Sequence, residues 1–222
     1  MKNRNLSKRL TVIDSCLRGG GELWDMGCDH GHLGLLGLKA QKFSKIHFVD
    51  SAISATNTLV NKICDYDSES FCVHHIDMGK VPGDQVSGEV VFSGLGGKTI
   101  EKALASLLES GLDLNRVDLV ISAQSLLDDL RVFLRQAGLK LKAEYLVCEN
   151  SQYFEVWHLS MDGDYPIKEL GSLLWSSCDI SVSTGHLQKI LAPYRIKQDH
   201  GHQDLNKDLR ISEIEEILQS SS

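Results

Sequence analysis

Strand-like apolar runs and helical patterns alternate along the first two thirds of this chain, and that alternation restricts its fold more than any other feature. The runs are Glu22–Met26, Ile46–Asp50, Phe71–Ile76, Glu89–Ser93 and Val117–Ala123. Helical spacing fills most of the gaps, at about His32–Lys42, Ile53–Cys64, Thr99–Ser110 and Leu126–Gln136. Strands alternating with helices at this pitch predict a parallel α/β sheet covered on both faces. The rhythm then breaks. Leu139–Glu149 and Tyr153–Met161 are joined by Asn150-Ser151-Gln152 alone, too short for a crossover helix, and are expected as an antiparallel hairpin at the sheet edge.

The two ends have a different character. Leu6–Leu17 has helical spacing and is stopped by Gly19-Gly20-Gly21. Beyond Asp162, helices are expected over Ile167–Ser176 and Thr184–Lys197, then a polar turn at Gln198–Gln203 and a last helix over Asp204–Leu218. Leu187, Ile190, Leu191 and Tyr194 would face Leu205, Leu209, Ile211, Ile214 and Leu218 in a helical hairpin. The division expected is a basic N-terminal helix over 1–20, a sheet domain over 21–163 and a small helical subdomain over 164–222.

Net charge does not exclude a nucleic-acid partner. The chain carries 23 basic and 30 acidic side chains, a formal charge of −7. Yet Lys2, Arg4, Lys8, Arg9 and Arg18 face only Asp14 in the first 18 residues, so the basic excess is local. The 6 cysteines never form C-x-x-C, which fits free thiols in a reducing cytoplasm. No apolar run approaches the roughly 18–20 residues that span a bilayer. The N-terminal stretch is amphipathic rather than a solid apolar core, so no secretion signal is expected. A cytoplasmic protein without a membrane partner is the reading.

The chemistry sits in the loops after the strands. Asp25-Met26-Gly27-Cys28-Asp29-His30-Gly31 ends the first strand with the spacing D-x-G-x-D-x-G rather than the G-x-G-x-x-G of a dinucleotide fold. An acid before the glycines suits a cationic ligand, and S-adenosylmethionine carries a sulfonium and an ammonium group. Asp25 and Asp29 are candidates for its amino-acid end, and Gly27 and His30 of the same loop are further cofactor-binding candidates. Asp50, followed by Ser51, closes the second strand where a ribose diol expects an acid. Asp77 and Met78 close the third, placed to take the adenine amine and ring face. Any one of these acids is explained equally well as a turn former or helix cap; three at matched strand ends describe a crevice. The fourth strand runs into Ser93-Gly94-Leu95-Gly96-Gly97, a loop expected beside the methyl group.

Together these pieces carry a resemblance. Leu6-Ser7-Lys8-Arg9-Leu10, the D-x-G-x-D-H loop, S-G-L-G-G, Gln124 after the fifth strand and Tyr153-Phe154-Glu155-Val156 look like the bacterial tRNA adenine-22 N1-methyltransferase family, in order over about residues 5–195. The resemblance implies a Rossmann-like class I methyltransferase sheet with a small helical C-terminal subdomain, S-adenosylmethionine as methyl donor, and N1 of a D-loop adenine in tRNA as acceptor. Adenine N1 already holds a lone pair, so alignment rather than a strong base would drive the transfer. Asp29, Ser93, Gly94 and Gln124 are then the candidate catalytic residues, with Gly94 also at the cofactor. N1 lies on the pairing edge, so the base must be unpaired or flipped out. Lys8 and Arg9 would meet phosphates. The chain departs from the family at Gln124-Ser125-Leu126, where Q-P-N is usual, at Leu95, where Met is usual, and in its shorter C-terminal helices.

Other readings remain at this stage: a methyltransferase of the same fold with another RNA or a small-molecule substrate, or a non-catalytic protein that keeps the cofactor crevice and binds RNA. Asp-His-Gly-His occurs at 29–32 and again at 199–202, but such short motifs are unspecific and no metal is expected. His74 and His75 alternate across a strand. Cys28, Trp24, Trp157 and Trp175 are expected to pack rather than react or stack on bases. A monomer is compatible with all of these readings.

Overall fold

Seven strands form one sheet in the order β3-β2-β1-β4-β5-β7-β6. In this computed structural model the described residues are 6–175, 179–199, and 212, 214, 216 and 217. The strands are β1 (Glu22–Met26), β2 (Lys45–Val49), β3 (Phe71–His74), β4 (Gly88–Ser93), β5 (Val117–Ser122), β6 (Lys140–Glu149) and β7 (Gln152–Ser160). The first five pair in parallel, and β7 runs antiparallel to both β5 and β6. The Rossmann-like class I methyltransferase sheet expected from the sequence is therefore the fold. Asn150 and Ser151, at φ 51° and 60°, make the two-residue turn whose backbone twist matches a hairpin.

Helices α1 (Lys8–Cys16), α2 (His32–Ala40), α3 (Ile53–Ile63), α4 (Gly97–Glu109) and α5 (Leu127–Gln136) divide between the faces. Ile13, Leu33, Leu38, Leu59 and Ile63 of α1–α3 pack with Leu23, Ile46, Phe48, Val91 and Val120. Ile100, Leu104, Leu107, Leu130 and Leu134 of α4 and α5 pack on the opposite face with Trp24, Met26, Phe92, Leu119 and Trp157. Alternate strand residues thus feed two cores, as the period of a strand buried on both sides requires. The Ser7 hydroxyl caps α1 by accepting from the Leu10 N–H at 3.2 Å. The helix rests on β6 and β7. No α-helix joins β3 to β4; two 3-10 turns, Met78–Lys80 and Gly83–Gln85, make that connection.

The stretch 167–175 corrects one expectation, since it is not helical. Gly171 sits at φ +93°, and a Cβ there would meet Leu174 at 2.6 Å. The Glu144 carboxylate also accepts from the N–H groups of Ser172, Leu173 and Leu174, at 2.7, 2.7 and 3.2 Å, so those amides serve a tertiary contact rather than a helix. Helix α6 (Ile180–Asp199) contains the helix expected over Thr184–Lys197. Leu187 and Ile190 pack with Leu170, Ile214 and Ile217. Gln198 and Asp199, expected to begin a polar turn, still belong to α6; the rest of that turn, with the last three residues of the second Asp-His-Gly-His, and the pairings expected of Leu205, Leu209, Ile211 and Leu218 lie outside the described residues.

A buried charge network anchors this end. Arg131 of α5 is 1% exposed and pairs with Glu144 of β6 at 2.6 Å and with Glu155 of β7. His186 of α6 meets the second oxygen of Glu155 at 3.0 Å, and the Trp157 indole donates to Glu155 at 3.0 Å.

Candidate active site

The carboxyl ends of β1, β2, β4 and β5 open into a cleft of about 360 Å³. It is lined by Asp25, Gly27, Asp29, His30, Asp50, Ser93, Gly94 and Gln124, and by Arg9 of α1 at its wall. A cleft outside the carboxyl ends of parallel strands, where the strand order reverses, is the position the topology favours for a ligand. Here the reversal is at β1, between β2 and β4.

The first loop is bent over the end of β2. Gly27 and Cys28 both donate to the Val49 carbonyl, at 2.8 and 3.1 Å. Gly27 takes φ +71°, and a Cβ there would lie 2.9 Å from Leu95, so only glycine leaves the loop this close to the β4 loop. Asp29, at φ 47°, donates its N–H to one oxygen of Asp50 at 2.9 Å, while Ala52 donates to the other at 2.8 Å. The Asp50 carboxylate retains lone pairs for a diol, since it has about four acceptor sites.

Asp25 is 6% exposed, and its carboxyl is pushed up to about 7. Burial is the main cause and Asp50 adds repulsion, while the Gly34 N–H pulls the other way. A buried carboxyl in this position gains from a cation that returns its negative form. Burial likewise pushes the Cys28 thiol up, which removes it as a nucleophile.

The β4 and β5 loops are stitched together. Gly94 donates to the Ser122 carbonyl at 3.1 Å, Gln124 to Leu95 at 2.8 Å and Gly97 to Ser125 at 2.8 Å. Leu126, the residue before α5, is held in the left-handed region at φ 53°, ψ 46° and is exposed.

Not every predicted residue enters the cleft. Ser51 is exposed and is not part of the cleft lining, and Asp77 and Met78 line a separate hollow of about 220 Å³ with Thr99, Lys102 and Ser106. Asp77 caps its own turn, accepting from the Gly79 N–H at 2.8 Å. Lys8 is exposed and outside the cleft lining, whereas Arg9 is turned inward. The Arg9 guanidinium lies 4.7 Å from the Phe154 ring centre, and its buried Nη1 has no hydrogen-bond partner among the described residues. Burial lowers its proton affinity, offset by the nearby Glu149. The sequence marked Arg9 only as a charge; the basic residue at the start of an amphipathic helix gave no sign that it would be folded back over β7. Leu10, Cys28, His32, Leu33 and Leu95 also line the cleft without having been singled out for it.

Comparison with known proteins bears on this geometry. A family model described as a methyltransferase domain matches residues 6–157. The sequence has no match among curated proteins. The structure is similar to that of a candidate tRNA (m1A22) methyltransferase of Streptococcus pneumoniae, with a TM-score of 0.81 and 21% identity over 96% of this chain and 99% of that one. It is also similar to TrmK of M. capricolum in complex with S-adenosyl-homocysteine, at 0.76 and 17% over 97% of each chain. The B. subtilis m1A22 tRNA methyltransferase TrmK aligns at 0.70 and 16% over 98% of each. At these identities the likeness speaks to the fold.

Proposed function

Because the chain belongs to the methyltransferase domain family, we propose that it transfers the methyl group of S-adenosylmethionine to N1 of an unpaired adenine in tRNA. The observation that carries the proposal is the cleft itself. It joins acids suited to a cationic cofactor to a glycine-rich loop and a side-chain amide suited to a flat base. The full-length likeness to tRNA (m1A22) methyltransferases supports the choice of tRNA.

The residues present fit the cofactor. The close approach of Gly27 to Leu95 leaves a loop that a side chain would fill, Asp25 is a buried acid with no cation paired to it among the described residues, and Asp50 is pre-oriented by two backbone N–H groups. Bound S-adenosylmethionine supplies an electrophilic methyl on a sulfonium. Asp25 would balance the positive charge of the ligand, Gly27, Asp29 and His30 would border its amino-acid end, and Asp50 with Ser51 would hold the ribose. The adenine contacts of Asp77 and Met78 rest on the resemblance alone.

Catalysis in this site is alignment. The Gln124 side-chain amide and the Ser93 and Gly94 carbonyls would orient the target base and accept from its N6 amine, which grows more acidic as the ring becomes cationic. Asp29 would add negative field at the cleft mouth. Arg9, packed on Phe154 beside Gly94, would meet the phosphate of the target nucleotide, with Lys8 further out on the same helix.

Tritium transfer from labelled cofactor to unmodified tRNA tests the proposal. Label recovered as 1-methyladenosine, and lost when the target adenine is replaced, is the expected result. Cofactor binding without transfer to any tRNA would overturn it, and label in another nucleotide would replace the acceptor.

A further inference from the structure

On the sheet face opposite α1–α3, three potential metal ligands converge outside the cleft. Register places Trp24 beside His47, His47 beside Cys72, and Val49 beside His74, so His47, Cys72 and His74 project to one side. One ligand atom from each lies within 4.8 Å of the other two. His47 Nδ1 and His74 Nε2 are 3.0 Å apart. Trp24 fixes the pair by stacking, with ring centres 3.8 Å from His47 at 6° and 5.4 Å from His74.

Two imidazolium rings cannot face nitrogen to nitrogen at that distance, so at least one ring offers a lone pair. His47 is buried, while Cys72 and His74 are partly exposed and give an ion access. The remaining nitrogen of His47, Nε2, is buried with no hydrogen-bond partner among the described residues, and the Glu22 carboxylate stands 3.9 Å from it. Ligating histidines commonly turn their second N–H toward such a carboxylate.

We propose that His47, Cys72 and His74 form a transition-metal site of the zinc type, which ties the edge strand β3 to β2. Tetrahedral zinc, with metal–nitrogen bonds of about 2.0–2.1 Å, sets its imidazole nitrogens about 3.3 Å apart, so the observed pair needs to open by only a few tenths of an ångström. Two imidazoles and a thiolate select zinc or cobalt over magnesium or calcium. Binding releases the Cys72 thiol proton to solvent, and water completes the coordination. The beneficiary is β3, a four-residue edge strand with no fully buried residue. The site is independent of the methyl-transfer reading.

Cobalt(II) chloride titrated into the metal-free full chain tests it. One equivalent should produce a thiolate-to-cobalt charge-transfer band with tetrahedral visible bands, both lost on adding zinc. Cys72→Ser should abolish the charge-transfer band, and Glu22→Gln should weaken binding about 10-fold or more. Cys64→Ser and the pair His30→Ala and His32→Ala should leave both unchanged. Absence of the band in the unaltered protein, or its survival in Cys72→Ser, would overturn the proposal. Melting each variant without metal separates ligand loss from misfolding; should Cys72→Ser unfold, His74→Gln carries the same test, and an unchanged cobalt affinity in that variant overturns the site.

Discussion

Asp25 in the cleft and Leu126 at the start of α5 are each held in an unfavourable local state, and both effects are testable. The Asp25 carboxyl has an ordinary value of 3.8 and is pushed up to about 7, chiefly by burial. The folded state therefore holds its proton more tightly than the unfolded chain. The stability this contributes is complete below 3.8 and is lost as pH rises through about 7. Urea midpoints of the cofactor-free protein should fall across that window, and Asp25→Asn should flatten the fall while weakening cofactor binding. A cationic ligand would also drive the proton off, so calorimetry in buffers of different ionisation heat should show proton release. Leu126 is 54% exposed in a left-handed conformation that Asn adopts more readily, and Asn is the residue the related Q-P-N motif places there. Leu126→Asn should raise stability by about 1 kcal/mol, read from the denaturation midpoint.

At the scale of elements, the network around Arg131 decides how the last third of the chain is held. It draws one group from α5, one each from β6 and β7, and His186 from α6. Removing the cation strands two buried carboxylates, so Arg131→Met should cost about 3–5 kcal/mol and loosen α6, detectable as faster hydrogen exchange there. Burial alone would raise the Glu155 carboxyl. The Arg131 charge and the His186 hydrogen bond outweigh it and hold the group at about 2, against an ordinary 4.5. The stabilisation is thus present above 4.5 and lost as pH falls through about 2. Nothing in the periodicity of 167–176 betrayed this arrangement. Apolar residues there are spaced as in a helix, but Glu144, lying on the preceding hairpin, claims the amides first.

For the whole molecule, the formal charge of −7 and a tRNA substrate are compatible because the basic residues of α1 lie beside the cleft. Binding to tRNA should weaken steeply with salt, as phosphate contacts release counterions. The two basic residues of α1 should part ways: Lys8→Glu should weaken tRNA binding and spare cofactor affinity, whereas Arg9→Glu should impair both, measured by filter binding and calorimetry. Equal behaviour of the two would show that Arg9 meets the RNA alone and does not border the cofactor. The alternation of strands and helices, the hairpin and the strand-end loops carrying Asp25, Asp50, Gly94 and Gln124 were all legible in the sequence, because periodicity and turn chemistry are local properties of a chain. Proximity is not local. That Arg9 folds over Phe154 into the cleft, that Asp77 turns to a hollow of its own, and that His47 meets Cys72 and His74 were decided by the strand order β3-β2-β1-β4-β5-β7-β6 and its register, which bring distant residues together only once both faces of the sheet are buried.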